Sequence, residues 1–380
     1  MANTISNLIP TLNAALDIVS RELVGMIPAV SRDSSVERAA VNQTVNIFTA
    51  PAIVGGNITP GQTPPDDGDA TFGNVTMTIQ KSRYWPVRWS GEEQKAVGSL
   101  MNNVLRDQFA QAFRAAANEI EADLYGQHVN ASRAYGSAGT APFGTANDLS
   151  DVAFSKKILE DNGAPMSDLQ FVLTTGAKAN LGAKQAVLFR VNEAGTSDLL
   201  RKGILGQLEG FDLHATGQGS QFTKGTGSAY TSSAAGFAVG ATSIAIITGT
   251  GTVLAGDVVT FAGDTNKYVV KTGVAGAGTI VLQEPGLRQA IPAAATALTI
   301  EGNSTRSLAF SRSAIQLATR LPALPEGGDS ADDRMTVTDP VSGLSFEVSL
   351  YRLYRRIKYE IAIAWGTQTV VPRHTMILHG

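Results

Sequence analysis

"LMNNVLRDQFAQAFRAAANEIEADLYGQ", residues 100–127, spaces Leu105, Phe109, Phe113, Ala117, Ile120 and Leu124 at steps of three and four. That spacing sets the six side chains on one stripe of an α-helix. Asn102, Arg106, Gln111, Arg114, Asn118 and Glu121 fall on the other side, so the helix has one face to bury and one to leave polar. At 1.5 Å per residue it is roughly 40 Å long, well beyond the usual three turns. A coiled coil would show sustained heptads with charged flanking positions, and this stretch does not.

Toward the N-terminus, Ser90 and Glu93 stand in S-x-x-E spacing, a capping box that satisfies two backbone donors and announces a helix. The stretch before it, 45–90, has β texture. "VNIFTA" (45–50) is a short strand, "PAIVGGNITPGQTPPDDGDA" (51–70) concentrates Pro, Gly and Asp, and "GNVTMTIQKSRYWPVRWS" (73–90) alternates Val75, Met77 and Ile79. Together they predict a long two-stranded ribbon, which buries too little to stand alone and needs a surface to lie on. Pro86 favours an edge or a bulge. Asp66, Asp67 and Asp69 lack the spacing and closing Glu of a calcium loop; they read as a solvated turn or as a charged contact with another subunit. At the start of the chain Ile5, Ile9, Leu12, Leu16, Val19 and Leu23 form one helical stripe, to be buried on the chain's own core or on a neighbouring subunit.

Toward the C-terminus, 131–150 is a Gly/Ser/Ala/Asn loop and 151–216 alternates short helical and strand signals. The tract 217–302 reads as a separate β unit. Its strands are "TSIAIIT", "VVTFAG", "KYVVK", "GTIVLQ" and "TALTIEG", with turns at Gly256-Asp257 and at Gly263, Asp264 and the residues up to Asn266. Five or six short strands closed by tight turns predict a small barrel or sandwich. "RSLAFSRSAIQLATR" (306–320) then resumes a mixed α/β texture. The chain closes in "YEIAIAWGTQTVVPRHTMIL" (359–378), read as a strand pair in which Tyr359, Ile361, Ile363 and Trp365 share a face. The whole is an α+β chain with one domain inserted in another, its entry and exit points exposed and close together.

Composition narrows the chemistry. With 380 residues, 43% of them hydrophobic and 17% charged, the chain is a globular protein of two or three compact units. A formal charge of −3 supplies no basic field for tight nucleic-acid binding. The absence of cysteine removes disulfides, thiolate metal sites and thiol nucleophiles. No run approaches the ~18 apolar residues of a membrane span, and the N-terminal stretch lacks the basic region of a secretory signal; a soluble, intracellularly made protein is expected. His128, His214, His374 and His379 show no metal or general-base spacing and read as surface or satisfied side chains. "GAKANLGAK" puts five residues between Gly176 and Gly182 and follows with Ala183, so it is not a phosphate loop; no nucleophile elbow appears either. No enzyme, cofactor or metal is expected. Tyr351, Arg352, Tyr354, Arg355, Arg356 and Lys358 form the one dense basic and aromatic cluster. It reads as a stacking surface for nucleic acid or, better suited to the near-neutral chain, as a strand face that meets a neighbour's carboxylates.

The order of parts resembles that of tailed-phage major capsid proteins with the HK97-like fold: N-terminal arm, extended loop, spine helix, peripheral domain and axial domain. The inserted β unit makes it similar to the P22-like subset. "LLRKGILGQLEGFDLHAT", with Gly203, Gly206, Gly210 and Phe211, resembles the axial-domain glycine pattern, "AGDVVTFAG" a strand turn of the inserted domain, and "AIAWGTQTVVPRH" the closing strands. The resemblance implies these divisions: 1–44 arm, 45–90 extended loop, 91–150 spine helix and peripheral domain, 151–216 and 303–350 the two parts of the axial domain, 217–302 inserted domain, and 351–380 closing strands. It also implies a coat subunit that self-assembles as hexamers and pentamers into an icosahedral shell around double-stranded DNA, which is contacted non-specifically. The subunit would be assembled in the host cytoplasm and reside in the virion. A portal and a decoration protein are implied partners. The sequence begins directly with the arm and carries no long charged pro-segment, so scaffolding is expected from a separate protein. Subunit contacts are expected at Asp66, Asp67, Asp69, Arg83, Trp85, Trp89, Arg352, Arg355 and Arg356, and inserted-domain turns at Gly256, Asp257, Gly263 and Asp264. The alternatives are an encapsulin-like compartment shell in a cellular host and a ligand-binding β-domain protein.

Overall fold

A computed structural model describes residues 12, 24–49, 57–58, 60, 73–185, 206–339 and 343–380. The strands in chain order are β1 (Ser31–Ala39), β2 (Thr44–Thr49), β3 (Gly73–Thr78), β4 (Lys81–Ser90), β5 (Arg133–Tyr135), β6 (Leu169–Thr174), β7 (Gln207–Leu208) and β8 (Phe211–Thr216). There follow β9 (Tyr230–Ser232), β10 (Ser243–Ile247), β11 (Thr252–Val253), β12 (Val258–Phe261), β13 (Lys267–Thr272), β14 (Val274–Ala275), β15 (Gly278–Leu282) and β16 (Ala297–Ile300). The last six are β17 (Arg306–Ser311), β18 (Ile315–Pro322), β19 (Asp333–Thr338), β20 (Ser345–Leu353), β21 (Arg356–Thr369) and β22 (Thr375–His379).

The long helix spans Met101–Tyr125, and its stripe of Leu105, Phe109, Phe113, Ala117, Ile120 and Leu124 is buried. It lies across two sheets at once. Phe109 meets Tyr359 edge-on at 5.5 Å and Phe113 meets Phe346 at 5.1 Å, both partners belonging to the sheet ordered β1-β18-β21-β20-β19 with β4 on the other edge of β21. The same core takes in Val172, Leu308, Phe310 and Ile377 of a second sheet and Val258 and Val269 of the inserted unit. In that second sheet every residue of β6 and β17 is buried. Alternate side chains face the long helix or, as with Phe171, Leu173, Ala309 and Met376, a separate core under the helices Ser150–Asp161 and Thr175–Lys184. Burial on both faces is why "LQFVLT" reads as an unbroken apolar run.

The inserted unit is a closed six-stranded barrel, β12-β16-β9-β10-β15-β13, sealed by pairing of β12 with β13. Tyr230, Ile244, Ile246, Val259, Phe261, Tyr268, Val270, Ile280, Leu282, Leu298 and Ile300 are part of its core. The 255–270 hairpin pairs Val258 with Val269 and Val259 with Tyr268. Entry and exit lie side by side: Phe222 N–H donates to Ser304 O at 2.9 Å. They are not both exposed, since Ser304 is buried. The barrel is also hydrogen-bonded into the body, because β13 pairs with β5, which pairs in parallel with β22.

Four details differ from the sequence reading. The ribbon consists of β2 and β3; residues 81–90 leave it and pair with β21 over ten positions, drawn there by Trp85 and Val87 packing on the core. Pro86 sits on this edge strand opposite Glu360. The closing strands do not pair with each other: Pro372 begins a 3-10 turn that carries the chain from β21 in one sheet to β22 in the other. Residues 306–320 are two strands joined by a short 3-10 turn, without an α-helix. β1, "SRDSSVERA", pairs in parallel with β18 and carries no apolar alternation to announce it. The predicted N-terminal helix 5–23 lies outside the described residues except for Leu12, which is helical and buried in the main core.

Candidate functional site

Two residues, Tyr354 and Arg355, join β20 to β21, with Arg355 at φ +54°. Residues 352–356 are all exposed; Leu353 keeps 53% and Tyr354 87% of its surface in water. Arg352 pairs with Asp332 at 3.0 Å and Lys358 pairs with Glu360. Lys358 also lies 4.9 Å above the Tyr84 ring and 5.4 Å from that of Tyr351. Arg355 leans over Tyr354 at 5.6 Å. Among the described residues neither Arg355 nor Arg356 has an ion-pair partner. A groove separates this tip from the start of the helix Gly91–Val97, lined by Ser90, Gly91, Glu92 and Gln94 on one side and 352–357 on the other. The capping box is formed there: Glu93 accepts from Ser90 N–H at 2.7 Å and Ser90 Oγ accepts from Glu93 N–H at 3.2 Å. That backbone hydrogen bond holds the Glu93 carboxyl below its usual range.

Arg83, Trp85 and Trp89, expected at subunit contacts, make their contacts within the chain. Arg83 Nε is 3.0 Å from Glu119, Trp85 stacks on Trp365 at 6.4 Å, and Trp89 Nε1 donates to Gln108 at 2.7 Å. Lys81 adds bonds to Asp123 at 2.8 Å and Glu119 at 3.2 Å, and Trp365 Nε1 donates to Asp123 at 2.9 Å. Burial pulls the Lys81 pKa down, but these carboxylates carry it above its ordinary value. Lys81 therefore clamps β4 to the long helix as an ammonium ion and is no nucleophile. Asp66, Asp67 and Asp69 lie outside the described residues.

The turn residues of the barrel are structural. Gly256 has φ +88°, and a Cβ there would lie 2.9 Å from Val129 Cγ1, at the foot of the long helix. Asp257 is buried and accepts from Leu254 N–H at 2.7 Å and Gly225 N–H at 3.0 Å; burial raises its pKa. Gly263 takes φ +84° in the next turn. Asp264 accepts from Asn266 N–H at 2.8 Å and from Tyr268 Oη at 2.5 Å. Burial, with that bond to Asp264 second, pushes the Tyr268 pKa up to about 12.

Where barrel and body meet, Arg306 is 1% exposed with its guanidinium 3.7 Å from the Phe222 ring. His128 packs against the same ring at 5.7 Å, and His379 lies opposite Arg306 in the β17–β22 ladder. His128 Nδ1 donates to Tyr125 O at 2.8 Å, and His379 Nδ1 is bonded to Ser304 Oγ at 2.9 Å. Burial, reinforced by Arg306, lowers the pKa of His128 to about 4 and of His379 to about 3. Arg306 itself is pushed down to about 10 by burial. Both histidines are thus neutral core groups, as is the partly buried His214, bonded to Gln170 at 2.8 Å; His374 is buried. Among the described residues no three His, Cys, Asp or Glu side chains converge to hold a metal, and no helix is long and apolar enough to cross a membrane.

Sequence reading missed Glu121. Placed on the polar face by spacing, it is 1% exposed and accepts from the backbone N–H groups of Gly25 (2.7 Å), Met26 (2.7 Å) and Ile27 (3.0 Å). It fastens the segment entering from the N-terminus to the long helix. Gly25 has no room for a Cβ, which would fall 2.4 Å from Ala215 O. The signal was in the sequence: Glu121 stands four residues after Ala117 and three before Leu124, within the apolar stripe.

No family model matches the sequence, and no curated protein matches it. Solved structures do. The chain is similar to the capsid structure of cyanophage P-SCSP1u at 9% identity and a TM-score of 0.50, covering 94% of this chain and 89% of that one. It is also similar to a Mycobacterium phage Che8 structure (13% identity, TM-score 0.45, 89% and 84% covered) and to the virus-like particle of Pyrococcus furiosus (7%, 0.42, 97% and 98%). The likeness to the cyanophage chain establishes the fold: α+β, HK97-like, here with an inserted closed barrel.

Proposed function

We propose that this chain is the major capsid protein of a tailed bacteriophage, a structural subunit without enzymatic activity that self-assembles into an icosahedral shell. The observation that carries the reading is the shared fold with a cyanophage capsid subunit over 94% of the chain. Physical features support it. A two-stranded ribbon is marginal alone and gains stability only from a surface beyond its own strands. The hairpin tip offers exposed Leu353 and Tyr354 and the guanidinium groups of Arg355 and Arg356, which have no ion-pair partner among the described residues, the mixture of aromatic and arginine residues enriched at interfaces. Repetition of such head-to-tail contacts builds closed lattices.

Hexamers and pentamers of this subunit would enclose double-stranded DNA, touched non-specifically because the net charge is only −3. A separate scaffolding protein, a portal and a decoration protein complete the proposed set of partners, with assembly in the host cytoplasm and residence in the virion. The inserted barrel at 217–302 supports placement near the P22-like subset.

The test is negative-stain electron microscopy of the expressed protein after gradient sedimentation. Closed particles hundreds of ångströms across, or tubes, are expected. A chain that stays monomeric even when co-expressed with its genomic neighbours overturns the reading.

A further inference from the structure

Where barrel meets body, Nε and Nη1 of Arg306, Nε2 of His128 and Nε2 of His379 are out of water and have no hydrogen-bond partner among the described residues. These atoms come from three elements gathered around one ring. The Arg306 guanidinium lies 3.7 Å over Phe222, His128 meets the same ring edge-on at 5.7 Å, and His379 is the cross-strand partner of Arg306. Buried polar groups are held where something pairs with them, and the need is greatest for a charged donor such as Arg306. We propose that this junction is a binding site for one small monovalent anion of the halide class, chloride in the cell, taken up together with one proton on His128. The site lies within a single folded chain and stands independently of the shell reading.

The hydrogen-bond partners fix which nitrogens donate. His128 Nδ1 donates to Tyr125 O at 2.8 Å, so the neutral ring carries a lone pair at Nε2 and becomes a donor there only when protonated. His379 needs no added charge: its Nδ1 lies 2.9 Å from the Ser304 hydroxyl, which donates to it when the ring hydrogen sits on Nε2. Arg306 adds two N–H groups. Charge then selects the ligand. Asp257 acts on Arg306 from a distance, its Oδ1 accepting from Gly225 N–H at 3.0 Å and its Oδ2 from Leu254 N–H at 2.7 Å. Arg306 and Asp257 cancel, so an anion arriving alone would leave the interior negative, whereas a monovalent anion with a proton on His128 leaves it neutral. A doubly charged phosphate would not balance. The other groups at the junction do not alter the sum: Tyr125 is kept neutral by burial, and Lys267, which presses on His379, is paired with Glu301 at 2.8 Å. Lys224 acts on Asp257. Burial and Arg306 both drive the proton off His128; a bound anion opposes them and draws it on. A water molecule would also satisfy Arg306 and the His128 lone pair, but with no dependence on chloride.

That difference is the test. The dilute full-length chain is unfolded in urea at about pH 5 and at about pH 7.5, with sodium gluconate exchanged for sodium chloride from about 10 to about 500 mM at constant ionic strength. An anion held only by the folded chain should raise the folding constant roughly tenfold over that range at the lower pH, and less than about twofold at the higher. The His128 ring resonance, followed by NMR, should titrate about one pH unit higher in chloride than in gluconate. His128→Gln, which takes up no proton, should respond to chloride equally at both pH values. Folding constants at the lower pH that are the same in gluconate and chloride overturn the proposal and assign the four atoms to water. A parent that responds equally at both pH values shows a general salt effect and overturns it as well, and so does a His128→Gln chain that keeps the parent's full pH-dependent response.

Discussion

Acidification of the dilute, unassembled chain should destabilise it at a pH where most proteins are still indifferent, and the seam between barrel and body supplies the reason. His128 has its pKa lowered from 6.5 to about 4 and His379 from 6.5 to about 3 by burial, with Arg306 adding to both. The other charged groups around them are Asp257, which also feels Arg306, and Lys267, which presses on His379. Tyr125 packs on His128 with its own pKa raised by burial, so it stays neutral here. A histidine with a depressed folded pKa costs nothing above its unfolded value. Below about 6.5 the unfolded chain binds a proton that the folded chain refuses, so stability falls with pH until the folded pKa is reached. At pH 5 both side chains are still neutral in the fold, and each costs about 2 kcal/mol relative to pH 7, at roughly 1.4 kcal/mol per pH unit. Together the loss is about 4 kcal/mol, a large share of a typical 5–15 kcal/mol. His214 and His374, also depressed by burial, act in the same direction. Glu121 and Asp257, raised by burial, act against it as they take up protons in the fold.

Urea unfolding followed by tryptophan fluorescence measures this, because Trp365 is fully buried and stacks on Trp85 next to the long helix. The midpoint should fall steadily from pH 7 to pH 5. The double variant His128→Gln, His379→Asn should start less stable and lose about half or less of what the parent loses over that range. A parent whose stability is flat from pH 7 to 5, or a double variant that keeps the full slope, refutes the account of the seam.

Glu121→Ala leaves three backbone donors without an acceptor and should cost about 3–5 kcal/mol; limited proteolysis should then cut near residues 24–30, while Glu121→Gln, which keeps a carbonyl acceptor, should resist better. Phe113→Ala, at the crossing of helix and sheet, should cost about 3–5 kcal/mol in the same urea assay. Replacing 217–302 by a short Gly linker should give insoluble protein, because it strips β13 from β5 and bares Val129 and the Tyr125–His128 end of the long helix; a soluble, assembling product would show the barrel to be mere decoration.

The parts with strong local signals were legible: the long helix from its three-and-four spacing, the capping box from Ser90 and Glu93, the barrel hairpin from its turn at Gly263, Asp264 and the residues up to Asn266 and its flanking strands. What failed were assignments decided by distant partners. Nothing in "KSRYWPVRW" tells whether it pairs with β3 or with β21; the choice follows from Trp85 finding Trp365 some 280 residues later. β1 has no apolar rhythm because its edge position asks for none, and its side chains Asp33 and Arg38 are spent on Arg320 and Glu347. Of the candidate contact residues, Arg83, Trp85 and Trp89 on β4 find partners within the chain, Arg83 while exposed, and Arg352 pairs with Asp332, whereas Arg355 and Arg356 have no ion-pair partner among the described residues, a division that composition alone could not make.

That division follows from the cost of leaving a cation unpaired. Arg306 is held in the interior with no carboxylate among the described residues in contact, Asp257 acting on it from a distance, and is stacked on Phe222 beside two imidazoles kept neutral; such an arrangement persists because barrel, helix and sheet close around it, and it ties their folding together. Arg355 and Arg356 carry no such penalty, since water solvates them at the tip of a hairpin. An unpaired buried arginine therefore speaks of how this chain is held together, whereas unpaired exposed arginines beside Leu353 and Tyr354 are free to take a partner at little desolvation cost. By that criterion the barrel seam belongs to the stability of one subunit, and the 352–356 tip is where a contact between subunits is proposed.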